Sequence, residues 1–212
     1  MTWPPPLGLT STQLERLDEL EHLALHFNEK LNLYSQASAE EFRERHIAHS
    51  LALATHAFPR GSVVADWGTG GGMPGLVLAV AFPEVTFHLI DSVGKKIRAV
   101  QSMARRLGLS NVEAHHTRAE TWQGSVSHSV SRATAPLATL WHWHSRVSSM
   151  TPTGAGGWEP GLICLKGGVL DDEVRALTSR YPDLQVRTQA LPEWLEDSPL
   201  EGKVIVEVST PR

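Results

Sequence analysis

The chain has 212 residues, of which 41% are hydrophobic, a formal net charge of -4 and a single cysteine, Cys164. That length suits one domain with room for an extension, and such a domain buries a core without disulfides or metals. One cysteine excludes an internal disulfide framework and fits a reducing, cytoplasmic compartment; no signal-peptide pattern opens the chain, and no apolar run approaches the ~20 residues of a membrane span, so no membrane partner is expected.

After a proline-rich lead-in, Thr10 or Ser11 can cap a first helix. Leucines at helical spacing carry it from Gln13 through Tyr34. Ser38-Ala39-Glu40-Glu41 reads as a capping box for a second helix, which runs through Phe42, Ile47 and Leu51 towards Phe58. The pattern then changes. Val63-Val64-Ala65-Asp66 is a short apolar strand ending on the turn Gly68-Thr69-Gly70-Gly71-Gly72. Pro74 can start the next helix, which reaches Phe82. Val85 to Ile90 is a second strand that ends in Asp91. Residues 94–107 form a helix stopped by Gly108. Strands follow at Val112–His115, Val126–Val130 and Leu162–Lys166, with a helix from Pro136 to Val147 and a glycine-rich loop from Thr151 to Gly161. A helix from Asp171 to about Tyr181 precedes two closing strands, Leu184–Thr188 and Val204–Val208. Alternating strands and helices predict a parallel sheet covered on both faces, and the two consecutive last strands predict an antiparallel arm. Residues 1–60 read as an N-terminal helical extension, and 61–212 as one Rossmann-like core with a mostly parallel seven-stranded sheet.

In such sheets ligands bind beyond the carboxyl ends of the strands, near the switch point. The first strand delivers Gly68 and Gly70 there, where the lack of a Cβ lets backbone approach a ligand. Asp91, at the end of the second strand, can accept hydrogen bonds from two ribose hydroxyls or act as a turn carboxylate. Two nucleotide cofactors share this layout. Gly70-Gly71-Gly72-Met73-Pro74-Gly75 matches the dinucleotide pattern G-x-G-x-x-G, a weak signal alone. The acid Asp66 at the strand end and the D-x-G-x-G turn favour S-adenosylmethionine. Pro74 also removes an N–H that a pyrophosphate would want, a loss that matters less to a donor without phosphate.

The acceptor is narrowed by chemistry. Cytosine C5 methylation needs a cysteine nucleophile, and Cys164 lies inside an apolar strand. Adenine amino methylation commonly uses an (Asp/Asn)-Pro-Pro-aromatic turn, where this chain reads Ser131-Arg132-Ala133-Thr134-Ala135-Pro136-Leu137. Arg132 suits an acceptor rich in hydrogen-bond acceptors or phosphate. Guanine N7 fits, because its in-plane lone pair needs no general base. A small-molecule or protein acceptor is the alternative. Residues 61–158 carry eight basic against five acidic side chains, so an acidic chain still has a basic stretch that either holds RNA phosphates or forms a solvated helix face. His142-Trp143-His144 and His115-His116 lack the i, i+4 arrangement of zinc hydrolases, so no metal is expected. Trp141 and Trp143 read as packing residues.

The run Asp66-Trp67-Gly68-Thr69-Gly70-Gly71-Gly72-Met73-Pro74-Gly75 resembles that of the bacterial 16S rRNA guanine-N7 methyltransferases (RsmG, glucose-inhibited division protein B). Leu31-Asn32-Leu33, Arg45-His46-Ile47 with Ser50-Leu51, Ile90-Asp91-Ser92 with Gly94-Lys95-Lys96, Ser131-Arg132-Ala133 and Leu165-Lys166-Gly167-Gly168 match in order, so the resemblance spans roughly residues 14–208. It implies a class I methyltransferase fold, S-adenosylmethionine as donor, and N7 methylation of one guanine in the decoding-region loop of 16S ribosomal RNA, offered as RNA, small subunit or its precursor. It implies donor contacts at Gly68, Gly70, Met73, Ala119, Glu120 and Arg132, with Asp91 and Ser92 at the ribose and Arg132 as the catalytic residue. Arg45, His46, Lys95, Lys96 and Lys166 become expected RNA contacts. The chain departs from the family at His49, where Asp is usual, at Trp67, where a small aliphatic residue is usual, and at Tyr34, often Thr. Trp67 is expected to narrow the donor pocket or stack near it.

Overall fold

The structure, a computed structural model, describes residues 1–34, 39–132, 134–149, 157–196 and 198–211. Helix α1 spans Ser11–Leu31. Its start is fixed twice. Thr10 caps it reciprocally with Gln13, and the Gln13 side chain also donates to the carbonyls of Val80 and Ala81, at 3.0 Å each, across the fold. One side chain therefore satisfies orphan groups at the ends of two helices. Thr10→Ala is expected to lower stability by about 1 kcal/mol, read as a lower urea midpoint at unchanged slope. The helix ends earlier than the expected Tyr34. Asn32 turns left-handed, with φ 48°, and the Asn28 side chain accepts the Tyr34 N–H at 2.8 Å.

The second helix, α2, covers residues 39–55. Its expected Ser38 cap lies outside the described residues. It is not a uniform α-helix. Arg43–Ala48 forms a π turn, followed by one α turn and a 3-10 end at Ala52–Thr55. The 3.6-residue hydrophobic pattern carries no sign of that widening. Single π turns recur at functional sites because they re-aim side chains within an otherwise regular helix. The remaining α-helices among the described residues are α3 (Gly75–Ala81), α4 (Gly94–Arg106), α5 (Leu137–Ser145) and α6 (Asp171–Arg180).

Among the described residues, seven strands form one sheet in the order β3-β2-β1-β4-β5-β7-β6. They are β1 (Val63–Trp67), β2 (Thr86–Asp91), β3 (Val112–His116), β4 (His128–Arg132), β5 (Gly161–Gly167), β6 (Gln185–Ala190) and β7 (Lys203–Ser209). β1 to β5 run parallel, and β7 inserts antiparallel between β5 and β6. This is the mostly parallel sheet with an antiparallel arm that the alternation predicts. Side chains alternate between the two faces. Val64, Phe87 and Leu89 join one apolar layer with Leu17, Leu20, Ile47, Leu51, Leu78 and Met103, so α1 and α2 share a core with the sheet. Ala65, Trp67, Ile90 and Cys164 join the other, with Leu140, Trp141 and Leu177. The strand order reverses between β1 and β4, which opens a crevice at their carboxyl ends. No helix among the described residues is long and apolar enough to cross a membrane.

Candidate functional site

The crevice is built by the turn after β1. Asp66 is fully buried, and its Oδ2 accepts from Thr69 Oγ1 at 2.6 Å and from the Gly75 N–H at 2.9 Å. The carboxylate thus ties the turn to the first residue of α3. Burial raises its pKa to about 6, against the opposing pull of those two hydrogen bonds and of Arg132. Gly68 follows with φ 67°, and a Cβ there would strike Thr134. A Cβ on Gly71 would strike the ring of Tyr34, whose hydroxyl donates to the Gly71 carbonyl at 2.5 Å. A larger residue at either position would force the turn or the facing Thr134 or Tyr34 side chain to shift.

A cleft of about 380 Å³ opens over this turn. Gly68 and Gly70 line it from β1; Asp91, Ser92 and Lys96 line it from the end of β2 and the start of α4. Ala119 and Glu120 close it after β3, and Arg132 at the end of β4 with Thr134 just beyond. Ile90 and Trp143 add apolar wall. Asp91 is held by the backbone: one carboxylate oxygen accepts the Gly70 N–H at 2.9 Å, the other the Val93 N–H at 2.8 Å. It is therefore a turn carboxylate, and each oxygen still has a lone pair for a ligand hydroxyl.

A second cleft, also about 380 Å³, lies on the other side of Arg132 and Thr134. His49, Pro136, Lys166 and Lys203 line it further. Arg132 ends β4 and donates from Nη1 to the Arg45 carbonyl, in the π turn, at 3.0 Å. Burial lowers its pKa, while Tyr34 and Asp66 favour the charged form. Thr134 Oγ1 donates to the carbonyls of Gly68 and Arg132, at 3.3 and 3.1 Å. Both residues are thus shared walls of two adjoining clefts.

The remaining expected site residues differ in their surroundings. Met73 is buried in the apolar core and does not line either cleft. His46 is buried beside the rings of Tyr34 and Phe42, with centroids 4.9 and 4.6 Å away, rather than on a surface that RNA could reach. Lys166 is buried too, and its ammonium donates to Glu173 at 2.8 Å and the Ala135 carbonyl at 2.7 Å. The same Glu173 oxygen accepts the Leu137 N–H at the start of α5, so Lys166, while lining the second cleft, is also part of a joint between β5, α5 and α6. Arg45 pairs with Glu41 at 3.3 Å. Lys95 is exposed, as are Arg98, Arg105 and Arg106 further along α4. Trp67 is fully buried against Trp122 and Trp143, so it touches the cleft only through Trp143. Trp143, expected to be packing alone, also lines the cleft. His49 lines the second cleft, with Nε2 unpartnered; burial, then Arg132 and Lys203, lower its pKa to about 3, so it is neutral. Burial pushes the Cys164 thiol up to about 12, which removes it as a nucleophile at neutral pH. Thr134 escaped the sequence reading; its position two residues past the end of a central parallel strand was the available signal.

Comparison with known proteins fits this geometry. The sequence pattern of the family described as rRNA small subunit methyltransferase G matches residues 13–199. A ribosomal RNA small subunit methyltransferase G of Salinibacter ruber is 48% identical over 197 residues, covering 92% of this chain and 91% of that protein. One of Bacteroides fragilis is 42% identical over 166 residues, covering 78% and 80%. Among solved structures, magnesium protoporphyrin IX methyltransferase from Synechocystis with bound SAM superposes with a TM-score of 0.60 at 12% identity, over 96% of this chain and 99% of that one. Ribosomal protein L11 methylase from Lactobacillus delbrueckii gives 0.57 at 14% identity, over 84% and 81%. These structural likenesses establish the class I methyltransferase fold.

Proposed function

The chain belongs to the rRNA small subunit methyltransferase G family, and on that premise we propose that it transfers the methyl group of S-adenosylmethionine to N7 of a guanine in the decoding-region loop of 16S ribosomal RNA. One observation carries the reading: Arg132 and Thr134 are common to two adjoining clefts. A group-transfer enzyme needs donor and acceptor held on either side of such a wall, so that proximity replaces a bimolecular encounter.

The first cleft fits the donor. Asp91, already rigid, offers lone pairs to ribose hydroxyls, and Ser92 stands beside it. Gly68 and Gly70 allow close backbone approach, and Ala119, Glu120 and Trp143 border the rest. When bound, S-adenosylmethionine supplies an electrophilic methyl on a sulfonium. The second cleft fits the base. Guanine N7 presents its lone pair at neutral pH, and its neighbour O6 accepts hydrogen bonds, which suits a guanidinium. No residue has to remove a proton before transfer. The neutral His49 and the cationic Lys203 border this cleft; Lys95, Arg98, Arg105 and Arg106 supply an exposed basic strip for phosphates.

The test is methyl transfer from labelled S-adenosylmethionine to small subunits or rRNA from cells lacking the enzyme, with N7 sites mapped by borohydride and aniline cleavage. A single new cleavage in the decoding-region loop is the expected result; label elsewhere rejects the acceptor, and donor binding without label in RNA points to a small-molecule or protein acceptor. For the donor site, Asp91→Ala is expected to weaken S-adenosylmethionine binding about 10- to 100-fold by calorimetry, the size of hydrogen bonds to a charged group. Unchanged affinity would leave Asp91 a turn residue only.

A further inference from the structure

Away from both clefts, β2 and the edge strand β3 bring three donor side chains together. Parallel pairing sets His88 opposite Glu113, and His115 is the next residue of β3 on the same face. His88 Nδ1 lies 3.0 Å from His115 Nε2 and 3.5 Å from Glu113 Oε2; His115 Nε2 lies 3.8 Å from the same oxygen. A tetrahedral ion with bonds of about 2.0–2.1 Å needs ligand atoms roughly 3.3–3.4 Å apart. The three edges bracket that value, and each residue turns one donor atom inward.

We propose that His88, Glu113 and His115 bind a divalent transition-metal ion, zinc in the first instance, which clamps edge strand β3 to β2. Two imidazoles and one carboxylate select a borderline ion over calcium or magnesium, which prefer all-oxygen sets. Trp122 packs on both rings, with centroids 5.2 and 5.7 Å away, and covers one side of the group. Glu113 is exposed, so solvent water can complete the shell. The clamp would act on function at one remove: β3 leads directly into Thr117–Glu120, the loop that closes the first cleft. His116 points elsewhere, towards the Ser92 carbonyl at 3.1 Å, and is not part of the set.

The probe is Co2+, followed by Zn2+ competition, on the untagged full chain after chelator treatment. One equivalent bound per chain, with the intense visible absorption of tetrahedral cobalt and displacement by zinc, is expected, together with a rise in melting temperature on adding zinc. Glu113→Gln, at an exposed position that does not threaten folding, and His115→Gln are each expected to weaken binding at least about 10-fold. Absence of the band, an octahedral spectrum, or full affinity in both variants overturns the proposal. Because donor binding is measured separately by calorimetry, failure here leaves the methyltransferase reading untouched.

Discussion

Arg132→Ala is expected to lower methyl transfer to small-subunit rRNA by about 100- to 1000-fold, the usual cost of deleting one preorganised donor from a reacting centre. The loss should fall mainly on turnover at saturating donor, because Arg132 sits where the two clefts meet and not beside Asp91 in the first cleft alone. Arg132→Lys separates charge from shape. Lysine keeps the cation but lacks the planar fork, so it should recover only part of the rate. The guanidinium also holds the Arg45 carbonyl at 3.0 Å, and a purely structural arginine would show itself as a lower melting temperature with proportionate loss of donor binding. A variant that keeps the native methylation rate removes Arg132 from the reaction altogether.

The second large effect is acid sensitivity. His46, His49 and His144 are buried, and burial lowers each pKa to about 3; burial lowers that of His128 to about 4. Unfolded, each returns to its ordinary value of 6.5. Between those values the unfolded chain binds protons that the folded chain refuses, so stability is full above pH 6.5 and falls as pH drops towards 3. One pH unit below 6.5, each group costs about 1.4 kcal/mol. Asp66 works in the opposite sense. Its raised pKa favours the folded state as pH falls through about 6, but it is one group against four. The urea midpoint at pH 5.5 is therefore expected to lie well below that at pH 7.5, with several kcal/mol lost from the ordinary 5–15 kcal/mol of a domain. Equal midpoints would mean that these imidazoles are not held neutral. The lost stability should be partly recovered in His144→Phe, which removes a buried titrating group beside Trp141.

What was legible in the chain was whatever local backbone chemistry dictates. The strand-turn-helix run from Val63 through Gly75 needs glycines at positive φ and an acid to tie the turn, and both are written in consecutive residues. Asp91 and Arg132 were expected at the crevice, and line it, because each ends a central parallel strand and strand ends in such sheets converge there. The alternation of strands and helices fixed the parallel sheet, and the two closing strands its antiparallel arm. Tertiary structure decided the rest, because pairing and burial depend on residues far apart in sequence. Lys166, expected as an RNA contact, is paired with Glu173, a partner that only the fold brings to it. His46 looked accessible until Tyr34 and Phe42 closed around it. Thr134 became a wall of two clefts only through its contact with Gly68, 66 residues away. Glu113 and His115 share a face of β3 by the two-residue alternation of a strand, but only the register of two parallel strands sets His88, 25 residues away in sequence from Glu113, beside them.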